Sequence, residues 1–325
     1  MKFVGTLCHT QSMLLLSGNT LLRWWHSPDA LKYPCGAQGI SLPGKRPPHI
    51  QPASGFPRAS SAPMDLLTRD RVPQNSFPYI YSRWQGQVPG KVFPTSLPNV
   101  YAPSSEFCLF QQARRLSVPQ TAALGCELAG TYRFMPKGET RYDVPPAASV
   151  SVLKSLARKM ENQNGIKNFR SGLRFVLPRL ASPLETTSML LLCLPNNLGG
   201  FGIETPLPNY EVTLSPKAAR MLSKKTCRCD LYFPQANIDL EYDSYENHTG
   251  KEKLEEDAQR RAAIEESGIR VITLTFKQVE TPDNLEIIAN SLFRASGKRF
   301  RPRCRNFEAK QEQVWQDLLF WRPVP

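Results

Sequence analysis

The chain has 325 residues with 29 Pro and 19 Gly, and its 41 Lys and Arg against 28 Asp and Glu leave a formal charge of +13. With 41% hydrophobic residues it has material for a sizeable core, which excludes both a disulfide-stapled miniature and a wholly disordered polymer. A positive excess of this size makes a polyanion the expected partner, DNA first and RNA second.

At the start, Lys2 precedes apolar residues as in an export signal, but His9, Gln11 and Ser12 interrupt the pattern. The one unbroken apolar core, Met13 to Leu16, is too short for such a signal, and no stretch approaches the roughly 20 apolar residues of a membrane span. A cytoplasmic protein with no membrane partner is expected, and Met13 stands as an alternative start. Eight cysteines are scattered among mostly apolar neighbours, as reduced thiols would be. Cys227 and Cys229 form a C-x-C with no second pair or nearby histidine to complete a zinc set.

Residues 1–103 read as a Pro-rich region, either a nucleic-acid recognition surface or a loop-rich module held by aromatic packing. PCGAQG, PGKRPPH, ASGFPRASSAP and QVPGKVFPTSLP argue against long helices. Short strands are expected around 78–84 and 91–101, with Trp24, Trp25, Trp84 and Tyr101 as apolar anchors. Over the first 120 residues, 12 Lys and Arg meet 4 Asp and Glu, so the acidic residues cluster later.

From Ser104 the pattern turns helical, and 104–180 reads as a mixed helical region. Ser104 or Ser105 can cap a helix through FCLFQQARRL, PQTAALGCELAGTY supplies a second ending at Gly130, and 147–160 a third. In the third, Val150, Leu153, Leu156 and Ala157 form one apolar stripe, with Lys154, Arg158 and Lys159 away from it. Next, Ser182, Pro183 and Glu185 fit a capping box and a proline in the first turn, on a helix that stops before Pro195. NNLGGFGI is then a glycine-rich turn without the spacing of a phosphate loop.

The final segment alternates strands and helices. Strands at 229–233 and 238–242 flank Pro234-Gln235-Ala236-Asn237; a helix spans 252–266 and ends at Gly268; a strand spans 269–275; and Thr281-Pro282 starts another helix. A closing helix covers 306–320. In NIDLEYD, Ile238, Leu240 and Tyr242 share one strand face and Asp239, Glu241 and Asp243 the other. A turn symmetric between Gln235 and Ala236 puts Asp230 opposite Glu241, with side chains about 5 Å apart. Carboxylates so placed need a cation or a proton between them, and Mg²⁺, with Mn²⁺ as substitute, suits their hard oxygens. The same acids also fit a solvated strand face.

CDLYFPQANIDLEYDSYENHTG followed by EEDAQRRAAIEESGIRVITLT resembles the restriction-endonuclease-like superfamily, in its very-short-patch-repair-like branch, and the C-terminal domains of actinobacterial abortive-infection antitoxin or regulator-like proteins. The matching positions, in roughly 222–292, are Asp230, Glu241-Tyr242-Asp243, Asp257 with Arg260, and Gly268-Ile269-Arg270-Val271. The resemblance implies an α/β fold: a restriction-endonuclease-like mixed sheet flanked by helices in 181–293, preceded by a mixed, mainly helical region, with 294–325 a basic linker and closing helix. It also implies a Mg²⁺ site in which Asp230 and Glu241 are ligands and Glu185, from an early helix, or Asp243 is a further one. Glu185 alternatively serves its cap alone. His248 would orient water, contact phosphate or protonate a leaving oxygen; a loop histidine without such a role is the alternative. The usual acidic-x-Lys is here Glu241-Tyr242-Asp243, so the cation must come from elsewhere, with Lys251, Lys253 and Arg260 as candidates.

Arg260 is spaced either to pair with Asp257 or to meet a phosphate. FRASGKRFRPRCR places Arg294, Lys298, Arg299, Arg301, Arg303 and Arg305 around Phe300, which suits phosphate contact with a base stacked on the ring, or a solvated basic linker. The expected function is metal-dependent hydrolysis of DNA phosphodiesters; the alternative is a catalytically silent DNA-binding regulator or antitoxin-like protein.

Overall fold

The computed structural model describes residues 5–6, 64–68, 79–83, 89, 92–94, 100–134, 140–242 and 251–319. In the Pro-rich part, β1 (Gly5–Thr6) pairs parallel with β5 (Val100–Pro103), which pairs antiparallel with β4 (Val92–Pro94). β2 (Met64–Thr68) lies parallel to β3 (Tyr79–Arg83). β3, β4 and β5 lie in the two stretches where strands are expected, whereas β1 and β2 are not anticipated; Trp24, Trp25 and Trp84 lie outside the described residues.

The helical part contains α1 (Ser105–Gln112), α2 (Val118–Ala129), the pair β6 (Arg133–Phe134) and β7 (Thr140–Arg141), α3 (Val150–Lys159) and α4 (Ile166–Leu173). Ser104 holds the N-cap position of α1 without a side-chain bond, and the helix ends at Gln112, so the basic Arg114-Arg115 lies beyond it. On α2, by contrast, Ser117 and Gln120 close a reciprocal capping box. The stripe expected on α3 is buried at Leu153, Leu156 and Ala157, while Lys154, Arg158 and Lys159 face water.

α5 (Pro183–Cys193) begins as predicted, with Ser182 Oγ accepting the Glu185 amide at 3.1 Å. Glu185 returns the bond one residue further back, accepting from the Ala181 amide at 2.9 Å. After a 3₁₀ turn at Asn196–Leu198, Gly199 (φ 86°) and Gly202 (φ 75°) take left-handed conformations. At Gly199 a side chain would collide with the Lys310 carbonyl, so the turn also sets how closely the closing helix α10 (Phe307–Leu319) approaches.

The remaining elements are β8 (Leu207–Thr213), α6 (Pro216–Leu222), β9 (Thr226–Phe233), β10 (Ile238–Tyr242), α7 (Lys251–Glu266), β11 (Arg270–Leu274), α8 (Phe276–Val279) and α9 (Pro282–Ala295). Four strands form one mixed sheet in the order β11-β10-β9-β8, with β10 and β11 parallel and the other pairs antiparallel. The parallel pair is connected through α7, as a crossover requires. The fold is therefore mixed α/β, with helices and a mixed four-stranded sheet in its C-terminal part. One apolar core joins Phe107, Phe110, Leu153, Leu190, Leu240, Leu292 and Trp315. On the other side of the sheet a smaller cluster packs Val212 and Cys229 against Ile264 and Ile269. No helix among the described residues is long and apolar enough to cross a membrane.

Candidate functional site

Pairing between β9 and β10 runs through Phe233↔Ile238, Tyr232↔Asp239 and Leu231↔Leu240, the register expected from a turn centred between Gln235 and Ala236. The next step would oppose Asp230 to Glu241, but the ladder stops before it. Two features mark the break. On the neighbouring strand Asn209 has φ 51°, and β9 itself does not alternate strictly, because Cys229 and Tyr232, three residues apart, both join the α7-side cluster. Asp230 sits at this irregularity, and its Oδ2 accepts the Tyr242 amide at 3.3 Å.

Asp239 and Glu241 are not a solvated face. They are 0% and 4% exposed, covered on the side of the sheet where α7 lies. Both Asp239 carboxylate oxygens and Glu241 Oε1 are buried without a well-formed hydrogen bond, the Cys229 thiol and the Leu231 amide being the groups that act on Asp239 at close range. Arg260 of α7 brings Nη1 to 2.9 Å from Glu241 Oε1 as an ion pair, and the same nitrogen donates to the Arg228 carbonyl at 3.0 Å. Arg261 next to it holds the Thr273 hydroxyl at 3.1 Å and so fastens α7 to β11.

The electrostatics tie Glu185, on α5, to the same group. Burial first, and then the Asp230 charge, push its carboxyl up to about 7, against the Ala181 amide and Arg228, which favour ionisation. Burial also raises Asp230, opposed by Arg260, the Tyr242 amide and Arg228, with Asp257 adding to the rise. Asp239 and Glu241 are raised by burial and by Asp230, against the pull of Arg260 and, at Asp239, of the Cys229 thiol and Leu231 amide. Asp230 thus links Glu185 to Asp239 and Glu241; Arg260 is the compensating cation for Asp230, Asp239 and Glu241 and Arg228 for Glu185, and each carboxyl is held partly toward its protonated form.

Glu185, Asp230 and Glu241 are therefore brought into one electrostatic neighbourhood, with Arg260 beside them. Asp243 and His248 lie outside the described residues. Among the described residues, no three His, Cys, Asp or Glu side chains are already gathered around one metal position. The donor chemistry fits Mg²⁺ nonetheless: it is all hard oxygen, and Mg²⁺ commonly takes one or two carboxylates and completes its shell with water and phosphate, although at Glu241 Oε1 it would have to displace Arg260. Asp239, not singled out as a ligand, and Arg228, not singled out at all, belong to this neighbourhood. Asp239 stood in the acidic run; Arg228 carried no signal, since its place depends on the strand break.

The basic run separates into two parts. Lys298 Nζ is committed to Glu204 at 2.7 Å and to Gln235 at 2.8 Å, while Gln235 also donates to Glu204. Arg299, Arg301, Arg303 and Arg305 are exposed and form no ion pair among the described residues. Phe300 is not free to stack on a base. It packs edge-on to Phe201 at 5.2 Å, against Phe293 at 5.5 Å and against Phe307 at 5.6 Å. The ring anchors the arm instead, helped by the Arg303 amide, which donates to Asn196 Oδ1 at 3.2 Å. Because Lys298 touches the hairpin turn and Glu241 lies three residues past the start of β10, the arm's start and the carboxyls are separated by at least about 10 Å along the strand.

No protein-family model, curated protein or solved structure matches this chain.

Proposed function

We propose that the carboxyl cluster is the divalent-cation centre of a nuclease of restriction-endonuclease-like type, hydrolysing DNA phosphodiesters. The observation that supports this reading best is the burial of the Asp239 and Glu241 carboxyls without well-formed hydrogen bonds beside Asp230, itself coupled to Glu185, where β9 and β10 part. Proteins seldom keep such oxygens unpaired unless a ligand or proton completes them. Asp230 and Glu241 would hold the ion, Glu185 and Asp239 would strengthen the negative field around it, and the Tyr242 amide fixes the Asp230 rotamer. A bound Mg²⁺ would supply an activated water and neutralise charge on the phosphoryl group. Arg260, already the cation at Glu241, stands in for the lysine that Asp243 replaces, and can hold a phosphate oxygen through its remaining N–H groups.

The exposed arginines would grip flanking backbone at a distance from the cut. Arg299 to Arg305 span at most about 20 Å of chain, enough to meet several phosphates of one strand. Replacing Arg301 and Arg303 by Ala is expected to weaken DNA binding alike for all sequences. It should also flatten the slope of log affinity against log salt by about 2, read by anisotropy in EDTA. An unchanged slope would remove the arm from the interface.

The test of function is incubation of the purified protein with single-stranded, duplex, mismatched and nicked DNA at low salt in Mg²⁺ or Mn²⁺. Cleavage that EDTA abolishes supports the reading. The second reading, a silent DNA-binding scaffold, is favoured by the Arg260 guanidinium already neutralising Glu241 at 2.9 Å. No cleavage of any substrate, with binding unaffected by Glu241→Ala, selects it.

A further inference from the structure

Tyr210 of β8 and Tyr232 of β9 stack with ring centroids 4.9 Å apart and planes 15° from parallel. The pair is held in place: the Tyr232 hydroxyl donates to Asn237 Oδ1 at 3.0 Å, and the Asn237 amide donates to the Gly268 carbonyl at 2.7 Å. It is also open, since Tyr210 is 41% exposed and Leu207, opposite Tyr232, is 43% exposed. α7 covers Cys229 and Val212 on this face and packs on part of Tyr232, but leaves Tyr210 exposed.

We infer that this tyrosine pair is a base-stacking shelf for an unpaired nucleotide next to the carboxyl cluster. Position carries the argument first. Tyr232 is the direct cross-strand partner of Asp239, and Glu241 is the diagonal neighbour about 7–8 Å away, so a base on the shelf lies about one nucleotide from the carboxyls. The occupant follows from chemistry. β8 is the outer strand of its sheet, yet Pro208 has no amide to donate and Asn209 (φ 51°) breaks the strand conformation, so a peptide cannot extend the sheet there. What remains is an aromatic face. Exposed Arg228 lies on the adjacent strand, and exposed Arg179 is joined to Asn209 by a 2.6 Å bond from the Asn209 amide to the Arg179 carbonyl. Pre-ordered rings with an exposed outer face, on a sheet that also carries exposed Arg228, suit single-stranded nucleic acid, whose bases offer free faces and whose phosphates can meet the arginine. The inference adds a preference for unpaired substrate to the function proposed above, and rests on that reading only for where the scissile phosphate lies.

The test is binding of a labelled twelve-nucleotide oligo(dT) and of an abasic strand of equal length, by anisotropy at low salt in EDTA, so that no cleavage is needed. Tyr210→Ala is expected to weaken oligo(dT) binding about tenfold and leave the abasic strand unchanged, while Tyr210→Phe retains wild-type affinity. Equal loss on both strands, or no loss on either, overturns the shelf and returns the pair to a cross-strand structural contact or a protein-facing patch. Failure of the wild-type protein to bind oligo(dT) overturns it as well. A protein that stacks bases but never cleaves retains the shelf and loses the nuclease reading; one that cleaves with Tyr210→Ala unaffected in binding does the reverse.

Discussion

Replacing Glu241 by Gln is expected to lower metal-dependent DNA cleavage by roughly 10²–10³-fold, the loss typical of removing one pre-organised electrostatic group from a reaction centre. Gln has the shape of Glu but carries neither the charge that would bind the cation nor the charge that holds Arg260 at 2.9 Å. The fold should survive, because β10 is fixed by its neighbours on both sides and the lost group is one whose burial disfavours its ionised form. Measured in EDTA at pH 8, the variant should melt no lower than the parent. That combination, activity gone and metal-free stability kept, separates a ligand from a structural ion pair. If Glu241 is instead a partner that Arg260 requires, the variant melts lower because a half-buried guanidinium loses its counter-charge.

The second large effect is on stability as a function of pH. The Glu185 carboxyl rises from an ordinary 4.5 to about 7 in the folded protein, with burial the main cause. A group that holds its proton more tightly when folded than when unfolded makes the native state lose ground as pH climbs. The loss begins near the unfolded value, grows to about 7 and is then complete. For Glu185 alone this is on the order of 3 kcal/mol. Asp230, Asp239 and Glu241 are shifted in the same direction and add to it. The metal-free protein should therefore have its highest melting temperature near pH 5 and a lower one at pH 8. Millimolar Mg²⁺ or Mn²⁺ should recover part of the difference at pH 8 and none at pH 5, because a cation bound to the ionised carboxylates competes with their protons.

Glu127 provides an internal control. It is buried beside Arg133, accepts the Phe134 amide at 3.2 Å and is likewise pushed up to about 7 by burial, yet it belongs to the helical part and not to the carboxyl cluster. Its share of the loss should persist in Mg²⁺ and disappear in Glu127→Gln. Melting curves that are flat from pH 5 to 8, or that divalent ions leave unmoved, would count against a cation centre at Glu185 and Asp230.

Much of the fold was legible because its signals are local. Ser182-Pro183 and Thr281-Pro282 start helices where they occur, Gly268 (φ 88°) ends α7, and the spacing about Gln235 and Ala236 produced the observed β9–β10 register. Among the elements that were missed, three are instructive. α4 begins after Gly165 with no side-chain cap to announce it, whereas α6 follows Ser215-Pro216, the same cap signal that identified α5. β8 was obscured by Pro208 and Asn209, residues that disfavour strands and are tolerated here because the strand is outermost.

For the site, the chain by itself determined which residues carry charge and how they alternate along β10, since both follow from composition and the two-residue period of a strand. It left open whether Asp239 and Glu241 meet water or the interior, whether Glu185 serves only its helix, and whether Phe300 faces a base or the core. Only the tertiary structure decided these, because each depends on what a distant segment places opposite: α7 over the acidic face, α5 beside Asp230, and Phe201, Phe293 and Phe307 around Phe300. Burial and the local dielectric belong to the assembled molecule, and they turn a run of acids into a cluster short of positive charge.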